Sequence, residues 1–554
     1  MVYKSPEPPI NAPLDETVWS WLFDSKASPL TKYATSEIKG FTNVTTQERL
    51  SYLDVKQYSI WLSSALAKRY GIVAKDVVAI FSPNTIWYPV AMFAVSRLGG
   101  VICGASPSYN VEEMTTALTV AGAKFLFTVS SCIDIAEASA KKSGIPRQNI
   151  ILLEGEVEGY QNLRQLIHIG RELGSLGQIQ GFRYCGDQTA ANVCAFLGFT
   201  SGTTGVPKAV MISHRNVIAQ CLQVQAVTPL DHKKTLAALP LYHITGLVHI
   251  LHLPILLNAE VFMLPSFTLE SMLETVTQNK IEELLLVPPI LIRMVHDPIV
   301  DRYDLRHIRR FSTGAAPISG EIIELLSKKF PQTGFKQQYG MTESCSCITS
   351  HTPKTYDYKF ARTVGTAMPS TELKVVDSND KEVETGEPGE LLAKGPQITM
   401  GYLENEEATR ESFTRDGFLR TGDEATIDKH GMVSITDRIK EMIKVKGIAV
   451  APAELEDLLL GHPLIDDVAV VGISDPFAGE RPKAFIVRKQ VDIPQEEAKL
   501  VKELVDYVSS RKARHKWIRE VEFVEIIPKS ASGKILRKEL RKRKGKEQIT
   551  KPKL

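Results

Sequence analysis

Between about residue 70 and residue 350, short β-rich apolar runs alternate with stretches whose apolar residues recur at helical spacing. "DVVAIFSP" (76–83) predicts a buried strand, and "TIWYPVAMFAVSRLGG" after it a helix that stops at Gly99-Gly100. "VICGASPS", "NVEEMTTALTVAGA" and "KFLFTVS" then predict strand, helix and strand, and a similar unit recurs over 261–289. Strands joined through helices imply parallel sheets covered by helices on their faces. The recurrence suggests an internal duplication.

After about residue 365 the pattern changes. "STELKVVDSNDKEVETGEPGELLAKGPQITMGY" alternates apolar and polar residues between Asp, Gly and Pro turns, which predicts a small antiparallel β unit. Beyond "DRIKEMIKVKG" (437–447) a new α/β set begins: the helix "PAELEDLLLGHP", the strands "DVAVVGI" and "KAFIVRK", the helix "EEAKLVKELVDYVSSRK" and the strand "VEFVEIIP". The predicted class is α/β. A large N-terminal domain over 1–439 holds two parallel αβ sheets plus the small β unit, and a smaller mobile α+β domain covers 440–554.

A chain of 554 residues exceeds one ordinary core. Hydrophobic residues at 43% and charged residues at 23% exclude a disordered or fibrous chain, and a net charge of +2 gives no reason to expect a nucleic acid partner. Seven irregularly spaced cysteines form no disulfide framework, and Cys345-Ser-Cys347 lacks the second ligand pair of a zinc site. The start "MVYKSPEPPINAPLDE" has no apolar leader core. The longest apolar stretch, 246–264, is interrupted by two His, a Pro, an Asn and a Glu, so no transmembrane segment is expected. The expected compartment is intracellular: cytoplasmic, or peroxisomal if Pro552-Lys553-Leu554 acts as a weak form of the S-K-L address. The basic tail over 537–554 reads as a solvated helix end.

The polar clusters carry the chemistry. "FTSGTTGVPK" places Thr200, Ser201, Gly202, Thr203, Thr204 and Gly205 before Lys208. Small hydroxyl residues and glycines leave backbone N–H groups free to converge on phosphate oxygens, and the lysine adds a mobile cation. The loop is not a Walker A motif, because Val206-Pro207 separate the glycine from the lysine. Taken alone it also fits a flexible connector.

Further clusters follow in order: "STGAAP" (312–317), "QQYGMTES" (337–344), "RTGDEA" (420–425), "TDRIKEMIKVKG" (436–447) and "PKSASGKILRKEL" (528–540). With the opening loop, this series resembles the adenylate-forming acyl-CoA synthetase superfamily, and within it the 4-coumarate–CoA ligase-like and fungal acyl-CoA ligases. The resemblance spans nearly the whole chain. It implies that a carboxylate attacks the α-phosphate of ATP to give acyl-AMP and pyrophosphate, and that coenzyme A then displaces AMP. Because two anions must meet and charge grows on phosphate oxygens, preorganised cations and N–H donors are the main catalytic resource.

The resemblance implies roles residue by residue. The loop from Thr200 to Gly205 with Lys208 would hold the triphosphate. Gly314, Ala315 and Ala316 would let adenine lie on bare backbone, beside Gln337, Tyr339 and Gly340. Thr342 would touch the α-phosphate and Glu343 would hold Mg²⁺. Asp423 would accept the ribose hydroxyls, with Arg438 beside it. The acyl group would meet Tyr242, His243, Ile244, Thr245, Gln338, Gly340 and Ser344, with His243 at the pocket mouth. Lys534 would bridge carboxylate and α-phosphate in adenylation. Lys444, Lys446 and Gly447 would serve the coenzyme A step, and Lys440 would be the hinge of a domain that rotates between the two.

Three positions depart from the plant hydroxycinnamate ligases: Thr245 replaces a pocket tyrosine, Gln338 a glycine, and Ser266 a lysine associated with coenzyme A. They point away from 4-coumarate, toward a medium-chain or aryl-alkanoic acid. A carrier-protein-loading enzyme and a luciferase-type oxygenase share the nucleotide motifs and remain the rival readings. The expected partners are a small carboxylic acid, ATP and coenzyme A, with the protein a monomer or homodimer.

Overall fold

The computed structural model describes residues 1–26, 28–200, 207–314, 316, 318–489, 497–530 and 533–543. Its central layer is a seven-stranded sheet in the order Lys208–Ser213, Cys194–Thr200, Val101–Ala105, Val77–Phe81, Phe125–Val129, Ile150–Glu154, Gln161–Asn162. All neighbours are parallel except the first pair. The strands are apolar on both faces because helices cover both, so Val78, Ile80, Phe125 and Phe127 are buried. Helix Val111–Ala121 begins where the sequence marks it: the Asn110 side chain accepts from the N–H groups of Glu112 and Glu113.

The second αβ region departs from a single parallel sheet. It is split between a four-stranded sheet, Lys234–Ala237, Glu260–Met263, Gly40–Asn43, Arg49–Ser51, and a five-stranded one, Glu283–Leu285, Arg310–Thr313, Gly334–Met341, Ser346–Ser350, Thr366–Ala367. In the second, the first three strands are parallel and the last two antiparallel. The antiparallel half follows from the tight turn at 342–345, which leaves no room for a crossover helix. The predicted β unit is present as the antiparallel sheet Tyr3–Lys4, Glu372–Val376, Gly389–Lys394, Leu419–Ile427, Val433–Arg438.

The apolar run over 246–264 is interior to the protein. It forms the helical series Ile244–Gly246, Leu247–His252 and Leu253–Leu257, then turns at Asn258 into strand Glu260–Met263. Among the described residues no helix is long and apolar enough to cross a membrane.

The last sheet holds Ile448–Val450, Ile443–Val445, Gly479–Arg488 and Ile465–Asp475, with Glu520–Phe523 parallel to Gly479–Arg488. Its core includes Val445, Leu455, Val470, Ile486 and Leu504. The chain passes into this sheet through the turn at 439–442 that holds exposed Lys440.

The basic tail begins less solvated than its composition suggests. Arg537 is nine-tenths buried, bonds both Glu456 oxygens at 2.6 and 2.7 Å, and reaches Glu441 at 3.2 Å. Glu456 in turn accepts the Val470 N–H at 2.7 Å, so the pair ties helix Arg537–Lys542 to helix Pro452–Leu460 and strand Ile465–Asp475. Removing one member of a buried pair strands the other charge. Arg537→Met should therefore destabilise the C-terminal sheet by about 3–5 kcal/mol in denaturant unfolding, with part of the loss restored by adding Glu456→Gln. An unchanged midpoint would show that the pair does not hold the domain together.

Candidate active site

Strand Leu419–Ile427 pairs antiparallel with Val433–Arg438 in a register that sets Asp423 opposite Arg438. Asp423 is only 5% exposed. Tyr339 Oη donates to its Oδ2 at 2.6 Å, and Arg438 Nε lies 3.6 Å from Oδ1. Burial raises the Asp423 carboxyl, while Arg438, the Tyr339 hydrogen bond and Lys534 pull it back. Lys534, from the C-terminal sheet's side of the chain, therefore stands within electrostatic reach of Asp423. Its ammonium is pushed down to about 8, first by burial and then by Arg438, with Glu441 and Asp423 opposing. Tyr339, Asp423, Arg438 and Lys534 thus come together from separate stretches of the sequence.

A second cluster lies at the paired ends of the opening loop. Thr200 and Lys208 are cross-strand partners, and residues 201–206 between them lie outside the described residues. Lys208 Nζ sits 4.9 Å from the Tyr402 ring centroid, and Tyr402 Oη donates to Glu343 Oε1 at 2.9 Å. Thr399 N–H and Oγ1 both donate to the Glu343 carbonyl, at 3.0 and 2.9 Å. Glu343 and Thr342 form a short turn after strand Gly334–Met341. Tyr402 is a site residue the motif reading missed. Its only signal was an aromatic closing the β unit, which composition cannot separate from core.

Alternation along Gly334–Met341 divides the remaining residues. Tyr339 faces Asp423, and Gln337 turns its side-chain amide to the Ala361 carbonyl. Gln338 is 7% exposed and its amide nitrogen lies 3.4 Å from Ser350 Oγ. Gly314 comes so near this strand that a Cβ on it would lie 3.0 Å from the Gln338 carbonyl oxygen; Ala316 follows, and Ala315 lies outside the described residues. At Gly340 a Cβ would overlap the Ser346 carbonyl oxygen at 1.6 Å. Cys345 and Ser346, at φ of 49° and 104°, hold the turn in the left-handed region that non-glycine residues rarely adopt.

His243 caps the short turn Ile244–Gly246, its Nδ1 accepting from Thr245 N–H at 3.4 Å, and burial pushes its imidazole down to about 4. The ring is therefore neutral at physiological pH. Tyr242 Oη accepts from Ser106 Oγ at 3.1 Å, and Thr245 is half-buried. Two of the predicted acyl contacts are occupied otherwise. Ile244 packs in the large apolar core, and the Ser344 hydroxyl is spent on Met341 N–H and on the Met341 and Ser346 carbonyls. Lys444, Lys446 and Gly447 are exposed on the hairpin Ile443–Val445 to Ile448–Val450, which packs against Gly479–Arg488, so they are not gathered with Lys534.

A family model described as AMP-binding enzyme matches residues 31–403, and one for the AMP-binding enzyme C-terminal domain matches 454–534. The chain belongs to the AMP-binding enzyme family. It is 36% identical over 516 residues to 4-coumarate-CoA ligase 1 of Narcissus pseudonarcissus, covering 91% of this chain and 90% of that one. It is 34% identical to the peroxisomal OPC-8:0-CoA ligase 1 of Arabidopsis thaliana, covering 90% and 89%. Among solved structures, MatB from Rhodopseudomonas palustris with ATP bound superposes with a TM-score of 0.82 at 25% identity, covering 95% of this chain and 98% of that one.

Two substitutions test the geometry of this family member. Tyr339→Phe removes a short hydrogen bond to a buried carboxylate and should raise the apparent KM for ATP by on the order of tenfold or more, read by pyrophosphate release. Gly340→Ala should force the 340–346 turn apart, at a cost of about 1–3 kcal/mol in thermal unfolding together with loss of activity. A fully active, equally stable Gly340→Ala protein would mean that the close approach does not shape the site.

Proposed function

We propose that the protein is an ATP-dependent acid–CoA ligase of the AMP-forming type, activating a carboxylic acid as acyl-AMP and then passing the acyl group to coenzyme A. The observation that carries this reading is the convergence of Lys534 with Asp423, Tyr339 and Arg438, in a chain whose relatives are named CoA ligases. Asp423 and Tyr339 bind the nucleotide's ribose and base. Lys534 is held where one ammonium can face both an incoming carboxylate and a phosphate, lowering the repulsion between them.

Lys208 and Glu343, joined through Tyr402, form the phosphate end. Mg²⁺ fits there: it takes one or two carboxylates and completes its shell with water and phosphate oxygens, and Glu343 offers one carboxylate whose second oxygen accepts no hydrogen bond among the described residues. When bound, the ion would neutralise phosphate charge. His243, kept neutral by burial, leaves room for an anionic acid at its edge without a fixed ion pair.

The exposed hairpin of Lys444, Lys446 and Gly447 serves the thioester step, and the turn around Lys440 is the hinge that exchanges it with Lys534. The boundary between the mobile part and the rest falls at 439/440. Pro552-Lys553-Leu554, outside the described residues, acts as a weak peroxisomal address. A fluorescent fusion ending in these residues should enter peroxisomes that import an S-K-L control, and purely cytosolic fluorescence would refute it.

The two lysines separate the half-reactions. Lys534→Ala should slow pyrophosphate release by at least the ~10²–10³-fold typical of losing one preorganised donor, yet still make thioester from supplied acyl-adenylate. Lys444→Ala should show the opposite pattern. Equal loss of both steps in both folded proteins would refute the alternation. A lysine lowered to about 8 is fully charged below that pH and loses its proton above it. In the wild type, kcat/KM for pyrophosphate release should therefore fall as pH rises through about 8, and this limb should vanish in Lys534→Ala.

A further inference from the structure

Behind Gln338 a cavity of about 40 Å³, large enough for a few water molecules, reaches into the five-stranded sheet. Val224, Leu236, Leu253 and Leu285 give it apolar walls. Its polar lining includes the Glu283 carboxylate and His232, and a further end set by two neighbouring strands. Strand register sets Ser312 beside Lys336, and Lys336 shares with Gln338 the face of its strand that lines the cavity. His249, from the wide helical turn Leu247–His252, completes this end and shares a 3.1 Å hydrogen bond with Ser346 Oγ.

Lys336 is only 3% exposed, yet among the described residues its ammonium makes no hydrogen bond and no ion pair. The nearby carboxylate is already engaged. Glu283 meets Arg310 at 3.0 Å, His232 at 3.3 Å and the Ser312 hydroxyl at 2.8 Å. Burial alone would raise the Glu283 carboxyl, but His232, Lys336 and Arg310 outweigh it and hold it well below the usual range. Arg310 has a second anion, Asp231, at 3.2 Å, and Asp231 also pairs with Arg309. Arg309 also meets Glu282 at 3.3 Å, so Lys336 is the cation of this group with no direct partner among the described residues, although Glu283 shares the cavity wall with it. An unpaired buried charge is costly, so lysines are almost never fully buried without a partner.

Gln338 links this end to the reacting centre. It lies between Lys336 and Gly340 on one strand, and its carbonyl is the atom nearest to a Cβ placed on Gly314. Four residue steps along the strand take Lys336 to Gly340, roughly 13 Å at strand rise, so a molecule reacting near Gly340 must be elongated to reach the lysine.

We propose that this cavity is the far end of the acyl pocket, and that the acid activated here carries a second carboxylate at the other end of an apolar chain, bound by the Lys336 ammonium with the Gln338 amide beside it. The inference rests on the acid–CoA ligase reading. The apolar walls take the methylene chain, and the lysine takes the terminal anion that bulk water would otherwise solvate. Neighbouring cations lower the proton affinity of His249, whose burial pushes it down to about 3, so it meets the anion as a neutral ring. Burial likewise lowers the Lys336 ammonium. A bound carboxylate opposes that shift, as Glu283 already does in part.

The test uses a matched series on the full-length protein: hexanoate, octanoate and decanoate against adipate, suberate and sebacate, plus the mono-methyl ester of each diacid. Pyrophosphate release and thioester formation are both read. At one length or more, the wild type should prefer the diacid over the monoacid and the ester. In Lys336→Met the ratio of kcat/KM for diacid over monoacid should drop on the order of 10- to 100-fold, and Lys336→Arg should keep part of the preference. A wild type that favours the monoacid at every length overturns the proposal, as does a preference that survives in Lys336→Met.

Calorimetric binding of the diacids, without ATP, decides the matter independently of turnover. If no acid in the series yields pyrophosphate, the ligase reading fails for these acids. Suberate-type binding that is weakened in Lys336→Met would still support the pocket, and its absence in the wild type would overturn it.

Discussion

The site depends on a cation held where its charge is unwelcome. Lys534 is half-buried beside Arg438 and Arg537, and Glu441 and Asp423 oppose the loss of its proton. Such a position is stable only if the rest of the fold fixes it. Asp423 is fixed by strand register against Arg438 and by the 2.6 Å bond from Tyr339. The approach of Lys534 is fixed locally: the Ser530 N–H donates to the Lys534 carbonyl at 2.8 Å, the Lys534 N–H donates to Ser530 Oγ at 3.2 Å, and the chain continues into the helix anchored by Arg537 on Glu456. A phosphate and a carboxylate arriving together would relieve the lysine's strain while their own repulsion is reduced. The same electrostatic imbalance thus holds the site ready and makes it selective for anions.

This imbalance also explains why the second lysine set sits elsewhere. Lys444 and Lys446 lie in a hairpin open to solvent. Were both sets in the nucleotide cleft at once, their mutual repulsion would add to that of Arg438 and Arg537. A turn of four residues, 439–442, joins the two sheets, and its backbone is tied mainly to Arg438 and Gly422. Glu441 in this turn also meets Arg537 at 3.2 Å, and Asp437 beside it accepts the Ala453 N–H at 2.9 Å, so a rotation about Lys440 as proposed would have to exchange these contacts.

Much of the fold was legible from pattern because parallel strands buried on both faces read as apolar runs, and the helices between them carry caps such as Asn110 and stops such as Gly122. The split of the second αβ region was not legible, since antiparallel pairing of Ser346–Ser350 depends on a left-handed turn at Cys345 and Ser346 that no glycine announces. The nucleotide end of the site was carried by motifs whose residues are polar in glycine turns. The acyl end was harder. Ile244 packs in the large apolar core and the Ser344 hydroxyl is engaged by a backbone turn, and a motif fixes neighbours in sequence but not the direction of each side chain.

Lys336 shows the limit most clearly. In sequence it is one lysine before "QQYGMTES", indistinguishable from the solvated lysines that most surface strands carry. Only the alternation of its strand, the register that sets it beside Ser312, and the helical turn bearing His249 make it interior. Replacement of a glycine by Gln338 then acquires a physical sense. A glycine would leave the cavity open to an aromatic ring, whereas glutamine narrows it and supplies an amide midway to the lysine. In the proposed pocket, apolar walls with a cation beyond Gln338 would favour an extended chain that ends in an anion over a flat phenol.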